Sequence, residues 1–368
     1  MPSLSSSAVI PRDICILRLS ALGDVCNLVP SIRALQKAAP QMHITWVIGR
    51  AEYNLLEGLE GVEFLVYDKK TGLSGMMALR KTLLKQRQGR PFDALLHMQA
   101  ALRASVLSRF IPAKRRIGFD PARAKDFQGW FVNEQLAAHE QTHVGEGFLD
   151  FVRYLGITHP AKEWDMPVTV KAEEEAARWI NAQTTPYLLL SPCSSNRARN
   201  WRNWSAEGYA AVVDYAFQTY GLTTLITGGN SKIEQEMVVA ITAAAESPLV
   251  NAVGQTSLKA LLVLIRDARL VIAPDSGPIH MAVAMNTPPL GLYVTSNPQR
   301  TGPWLGQEWV VNRYPDAVRK YLGKEPEQVG WGQRVRDSAA MELISTEDVI
   351  ARLDAIMNSK KPLGIQES

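Results

Sequence analysis

The sequence predicts an α/β protein built from two doubly wound halves. Short apolar runs alternate with amphipathic helical stretches along most of the chain, the pattern of parallel strands covered on both faces by helices. The alternation breaks once, over Thr158 to Val170 ("THPAKEWDMPVTV"), where two prolines and mixed polarity read as a linker. At 368 residues the chain is also too long for one ordinary core. Two such halves are expected to face a cleft at the carboxyl ends of their strands, where open α/β sheets bind ligands.

Taken in order, Ile14 to Leu19 is the first strand, running into "SALGD" (Ser20 to Asp24). Leu28, Ile32 and Leu35 form one helical stripe that stops before Pro40. Pro30 fits only near a helix start, so that helix is expected from about Asn27, with Gly23 and Asp24 at its mouth. Strands follow at Ile44 to Ile48, Val62 to Tyr67 and Phe92 to His97; Phe148, Phe151, Val152 and Leu155 mark a further helix ended by Gly156. Beyond the linker come a helix near Glu173 to Ala182, a strand Tyr187 to Ser191, a helix Ala206 to Tyr220 and a strand Leu222 to Thr227. Helices near Lys232 to Ala245 and Leu258 to Asp267 lead into "LVIAPDSGPIHMAVAMNTPPLGLY". That stretch reads as strand (Leu270 to Ala273), turn (Pro274 to Gly277), helix (Ile279 to Met285) and strand (Leu290 to Val294). Arg300 to Ser338 is irregular, and a last helix runs from about Thr346 to Met357. The expected domains are 1–160, with 1–12 a flexible tail, and 161–345; the helix and tail 346–368 are a candidate to pack back on the first domain.

Composition narrows the function classes. Apolar residues at 46% and charged residues at 21% are those of a globular chain, and a net charge of +4 is too small to imply a nucleic-acid partner. Three cysteines without C-x-x-C spacing favour a reducing compartment over a disulfide framework. No apolar run approaches the roughly 20 residues that span a bilayer. The opening "MPSLSSSAVIPRD" lacks the basic start and apolar centre of a signal peptide.

Three turns that follow predicted strands carry the chemistry. At Pro274 to Gly277, Ser276 suits an N-cap and Pro278 suits the first helical turn. The free N–H groups there, with the helix dipole, make an anion site. Asp275 and His280 flank it; a carboxylate repels a bare phosphate but accepts from hydroxyls, so a ligand carrying both phosphate and sugar resolves the conflict. Ordinary helix capping is the alternative. The turn "SPCSSNRARNWRNW" offers Ser194, Ser195, Arg197, Arg199 and Arg202, suited to bidentate phosphate binding, or else an exposed basic loop; Trp201 and Trp204 read as core packing. Together these two turns suggest a diphosphate. The third turn holds Asp24.

"RLSALGDVCNLVPSIRALQ", "VGQTSLKALLVLIRDARLVIAPDSGPIHMAVAMNTPPLGLY" and "NPQRTGPW" resemble the bacterial lipopolysaccharide heptosyltransferases, glycosyltransferase family 9. The resemblance covers about Ile14 to Trp304. It implies a GT-B fold, an ADP-heptose donor held mainly by the C-terminal domain, a Kdo–lipid A or inner-core acceptor, inversion at the anomeric carbon, and neither metal nor cofactor. It implies a cytoplasmic protein, peripheral at the anionic inner face of the inner membrane. Asp24 matches the catalytic base, a role that an aspartate of ordinary pKa, about 3.9, performs at neutral pH; a helix cap is the alternative. Ser194, Ser195 and Arg199 match groups on the donor diphosphate, Ser276 and Gly277 the helix mouth with Pro278 and His280 beside it, and Asp275 the acid on the heptose hydroxyls. Thr256 and Glu234 fall where the adenosine is held, with a solvated helix position the alternative for Glu234. Lys69, Lys70, Arg103 and Lys125 fall near basic acceptor-binding positions, and "AKRR" (Ala113 to Arg116) is a patch for anionic headgroups or an ordinary solvated face.

Two departures bear on the acceptor: "YPDAVRKYLGKEPEQVGWGQRVRDSAAM" replaces a cysteine-rich tail of some members, and Gly147 stands near a basic acceptor-binding position. A transferase using another nucleotide sugar, or a non-catalytic nucleotide-sugar or lipid A binding module, are the rival readings. "HEQTH" (His139 to His143) fits H-E-x-x-H, a zinc pattern that needs both histidines on one helix face; little apolar stripe surrounds it. Cys193 as a nucleophile lacks an activating histidine with a motif-level claim.

Overall fold

The computed structural model describes residues 10–181, 185–194 and 200–359. The chain divides into two compact units, Met1–Pro167 and Val168–Ser368, so the division falls after the expected 160. The tail positions 1–9 and 360–368 lie outside the described residues.

The first unit runs β1 (Asp13–Leu17), α1 (Leu22–Ala38), β2 (His43–Ile48), α2 (Arg50–Leu56), β3 (Val62–Val66), α3 (Gly72–Gln86), β4 (Phe92–His97), α4 (Leu102–Ser108), β5 (Ala113–Gly118), β6 (Glu134–Gln135) and α5 (Val144–Tyr154). Among the described residues its strands form one parallel sheet in the order β3-β2-β1-β4-β5-β6. The continuous apolar character of β1 and β4 follows from that place: Ile14, Ile16, Leu17, Leu95 and Leu96 are buried among helices. Strand order reverses between β1 and β4.

Helix α1 begins at Leu22, well before Asn27, and carries Pro30 in its interior. A proline there leaves the carbonyl four residues earlier without its helical donor. That carbonyl belongs to Cys26, and it accepts from the indole Nε1–H of Trp164 at 3.0 Å. Trp164 lies in the predicted linker, which is therefore strapped along α1. Arg33 adds bonds to the carbonyl oxygens of Trp164 and Asp165 at 3.4 and 2.6 Å.

The stretch Ala113 to Arg116, read as a headgroup patch or a solvated face, is strand β5, and its cations have partners inside the unit. Lys114 pairs with Asp93 at 2.9 Å, Arg115 forks onto Glu134 at 2.8 and 2.7 Å, and Arg116 donates to the carbonyls of Ser108 and Ile111, both at 2.8 Å. The Arg115 hydrogen bond holds the Glu134 carboxyl below its ordinary pKa despite partial burial.

The second unit runs α6 (Val170–Ile180), β7 (Tyr187–Leu190), α7 (Ala206–Tyr220), β8 (Thr223–Ile226), α8 (Lys232–Ala244), β9 (Leu249–Asn251), α9 (Leu258–Asp267), β10 (Val271–Pro274), α10 (Gly277–Ala284), β11 (Pro289–Tyr293), α11 (Pro298–Thr301), β12 (Val311–Asn312), α12 (Tyr314–Ala317) and α13 (Thr346–Asn358). Its parallel sheet has the order β12-β11-β10-β7-β8-β9. Counted from its own first strand, this is the order of the first sheet read from the opposite edge. The reversal falls between β7 and β10.

Helix α13 packs within the second unit. Val349, Leu353 and Ile356 are buried in the second unit's own core, and Asp354 accepts from the hydroxyls of Tyr215 and Tyr220 on α7 at 3.0 and 2.8 Å. Trp204 is core, as expected, and donates to the Ile344 carbonyl at 3.1 Å.

Candidate active site

Doubly wound sheets place ligands at the carboxyl ends of strands where the order reverses. In the first unit that point joins the turns after β1 and β4. Leu19 N–H donates to Gln99 Oε1 at 2.6 Å, and Arg18 Nη1 to the Met98 carbonyl at 2.6 Å. The Arg18 guanidinium lies 5.2 Å from the centre of the Phe148 ring and pairs with the Asp24 carboxylate. Asp24, in the first turn of α1, also accepts from the Ala21 N–H at 3.1 Å. Its carboxylate is held at two points yet remains partly exposed.

Lys69 Nζ donates to Ser20 Oγ at 2.7 Å, and Arg103 Nη1 to the Lys69 carbonyl at 3.3 Å. Of the four expected acceptor-binding cations, Lys69 thus stands at the Ser20 to Asp24 turn, and Arg103 is tied to the Lys69 backbone. Lys70 is exposed on the short turn that follows β3, and Lys125 is exposed on the loop after β5. Glu52 joins the group from α2. Burial raises its pKa, Lys69 and Arg18 counteract, and Asp24 adds to the rise. A side chain at Gly49 would meet the Leu19 carbonyl at 2.4 Å and Glu52 Oε2 at 2.5 Å, so the close approach of α2 to the β1 turn needs glycine. At Gly147 a Cβ would lie 3.5 Å from Arg123 Nη1, so a guanidinium from another segment stands beside that position.

In the second unit the corresponding turns follow β7 and β10. Ser194 N–H donates to Asn203 Oδ1 at 3.1 Å and its hydroxyl to Asn200 Oδ1 at 2.8 Å. Ser195, Arg197 and Arg199 lie outside the described residues. Arg202 Nη1 crosses to the β10 turn, donating to the Asp275 carbonyl at 2.8 Å and reaching its Oδ2 at 3.3 Å; Ser296 Oγ donates to the same Oδ2 at 2.7 Å.

Ser276 occupies the N-cap of α10 but makes no capping bond, against expectation, and its buried hydroxyl has no hydrogen-bond partner among the described residues. A cap hydroxyl accepts from the second or third helical N–H. Here Pro278 removes the second. The helix mouth therefore presents a buried hydroxyl beside N–H groups that the helix itself leaves unmatched. Gly277 and Pro278 open the helix, and His280 is buried in its second turn.

Glu234 caps α8: its carboxylate accepts from Gly229 N–H at 2.6 Å, Ser231 N–H at 3.1 Å and Ser231 Oγ at 2.6 Å. Half-buried Thr256 lies on the loop after β9, and Gly254 N–H ties that loop to the Gly228 carbonyl of the β8 turn at 3.0 Å. Burial, aided by the Glu234 charge, pushes the Cys193 thiol up to about 12, so it stays protonated. "HEQTH" is coil and turn rather than helix. His143 Nδ1 caps α5 through Gly145 N–H at 3.0 Å, while His139 Nδ1 lies 3.0 Å from Asp150. The two imidazoles do not share a helix face.

Sequence reasoning passed over Arg18, Gln99 and Ser296. Arg18 leaves a signal, a charge directly after the buried run "ICIL" and six residues before Asp24; Gln99 and Ser296 show none beyond following a strand.

A family model described as glycosyltransferase family 9 (heptosyltransferase) matches residues 76–325. Over 343 residues the chain is 37% identical to the lipopolysaccharide core heptosyltransferase OpsX of Haemophilus influenzae, covering 93% of this chain and 96% of that protein. Among solved structures it is similar to the glycosyl transferase family 9 protein of Veillonella parvula, with a TM-score of 0.77, 23% identity and coverage of 94% and 97% of the two chains. It is also similar to E. coli heptosyltransferase WaaC with ADP, with a TM-score of 0.66, 18% identity and coverage of 94% and 99%.

Proposed function

The chain belongs to glycosyltransferase family 9, the heptosyltransferases, and on that premise we propose that it moves a heptose from ADP-heptose to the Kdo–lipid A or inner core of lipopolysaccharide, with inversion and without a metal. The observation that carries this reading is the mouth of α10, where the unpartnered Ser276 hydroxyl meets free N–H groups beside an Asp275 braced by Arg202 and Ser296. A diphosphate and its sugar together satisfy both features.

The proposed step is a single displacement. Asp24 takes the proton of the acceptor hydroxyl as its oxygen bonds to the anomeric carbon, and the bond from that carbon to the diphosphate oxygen breaks on the opposite face. The negative charge developing on ADP falls to the Ser276 and Gly277 N–H groups at the mouth framed by Pro278 and His280, to Ser194 and Ser195, and to Arg199. Asp275 accepts from heptose hydroxyls, Thr256 and Glu234 stand at the adenosine, and Lys69, Lys70, Arg103 and Lys125 meet the acidic acceptor. We place the reaction at the cytoplasmic face of the inner membrane, where a nucleotide donor and a lipid-anchored acceptor meet.

The test is transfer by the purified chain from ADP-heptose to Kdo–lipid A, read by product mass and anomeric configuration, beside calorimetry with ADP, UDP and GDP. Heptose addition in the inverted configuration with selective ADP binding is expected. Preference for UDP or GDP, or no turnover with intact donor and acceptor, would overturn the proposal.

A further inference from the structure

Between Lys69 and Arg90 the chain carries seven Lys and Arg and no Asp or Glu. Only Arg87 among them is engaged in a described ion pair, with Asp13. The segment includes α3, whose buried face is Met76, Leu79 and Leu83. The opposite face, at helical spacing, carries Leu73 and Met77, 60% and 55% exposed, followed by exposed Arg80 and Lys81. A helix with an apolar head, a cationic continuation and no acid on its outer face suits an anionic surface more than bulk water.

A second exposed apolar cluster adjoins it. Phe127 and Trp130, 65% and 80% exposed, stack with ring centres 4.9 Å apart. They belong to the loop and short turn packed on α4, where the Asp126 carboxylate accepts from Leu102 N–H at 3.3 Å. The next residue, Arg103, bonds the Lys69 carbonyl at 3.3 Å, and Lys69 begins the turn that leads into α3. Both clusters therefore flank one basic seam in the first unit. Stacked aromatics this exposed mark an interaction surface, Trp is favoured where one end is apolar and the other wet, and clustered cations add attraction to anionic headgroups.

We propose that this face is a docking surface for an anionic lipid bilayer, with Leu73, Met77, Phe127 and Trp130 entering the headgroup–acyl boundary and Arg80 and Lys81 meeting phosphates. The surface deepens the proposed function, whose acceptor is lipid-anchored, but its test does not depend on transfer. The full chain is sedimented with vesicles of phosphatidylglycerol and phosphatidylcholine, and with phosphatidylcholine alone, while tryptophan emission is recorded. Three variants are compared: Phe127→Ser with Trp130→Ser, Leu73→Ser with Met77→Ser, and Arg80→Glu with Lys81→Glu. Their exposed positions spare the core, which circular dichroism and ADP affinity check. Expected are salt-sensitive binding to anionic vesicles only, a blue shift lost with Trp130, and binding weakened about tenfold or more in each variant. Transfer to an acceptor stripped of acyl chains should be unchanged. Equal binding to neutral vesicles, no binding, or wild-type binding by the variants would overturn the proposal. So would loss of a dimer in the Trp130 variant with vesicle binding intact, which would give the face to a second copy. Absence of transfer would refute the heptosyltransferase reading and leave the vesicle result standing.

Discussion

Ser276 holds a position where serine ordinarily stabilises a helix, yet it makes no capping bond. Its replacement should therefore separate stability from binding. Ser276→Ala is expected to change unfolding free energy by less than the ~1 kcal/mol of an ordinary cap, while ADP binding weakens by about 0.5–1.5 kcal/mol, the net value of a hydrogen bond. Urea unfolding and calorimetry on the same sample decide it; a destabilised variant with unchanged ADP affinity would restore the capping role. His97 gives the pH prediction. Its ring is buried at the end of β4, with Nε2 3.2 Å from Ser105 Oγ; burial, then the charges of Arg116 and Arg18, hold its pKa down to about 3. An unfolded histidine takes a proton as pH falls through about 6.5, whereas the folded one waits until about 3. The unfolded state binds more protons between those limits, so stability falls with pH across that window. Between about pH 6.5 and pH 5 the loss should approach roughly 2 kcal/mol, and His97→Gln should flatten the slope of stability against pH. At this scale the turns that carry Asp24, Asp275 and Ser276 were legible in the sequence, because turn chemistry is local. It concealed the pairings of Asp24 with Arg18 and Asp275 with Arg202, because partners from separate segments meet only after folding.

Among elements, α1 shows how local and tertiary rules compete. Pro30 alone argues for a late helix start, and the structure starts the helix at Leu22 because Trp164 supplies the donor that Pro30 lacks. Trp164→Phe keeps an aromatic side chain of smaller volume but removes the indole N–H, and the unmatched Cys26 carbonyl should cost about 1–3 kcal/mol beyond the lost packing. Pro30→Ala supplies a helical N–H to the same carbonyl, so the double variant should lose less than the sum of the two single changes. Denaturant unfolding of the four proteins measures the coupling; strict additivity would reject it. Strand β5 escaped the sequence for a related reason. Its "AKRR" lacks the apolar run that marked β1 and β4, and its cations are matched by Asp93, Glu134 and helix-end carbonyls supplied from elsewhere in the chain. Helices α7 and α9 were legible to the residue, since Ser205 and Ser257 cap them and their apolar stripes are regular.

For the whole molecule, the same strand order occurs in both units, and each unit gathers candidate residues at its own point of reversal. The two doubly wound halves were legible because apolar strands separated by helices leave few other topologies. The core that takes α13's stripe, that of the second unit, was not named by the sequence, since an amphipathic terminal helix does not specify its partner. On the proposed function, the second unit holds the donor and the first supplies the base. The most direct test pairs transfer rate with ADP affinity in Asp24→Asn. The substitution keeps size and removes the charge that accepts the proton. Transfer should fall by at least about a hundredfold, the lower end of what general-base catalysis contributes, while ADP affinity stays within about threefold, less than one lost hydrogen bond commonly costs. A variant that transfers heptose at the wild-type rate, or one whose inactivity is matched by an equal loss of ADP binding, would contradict the division.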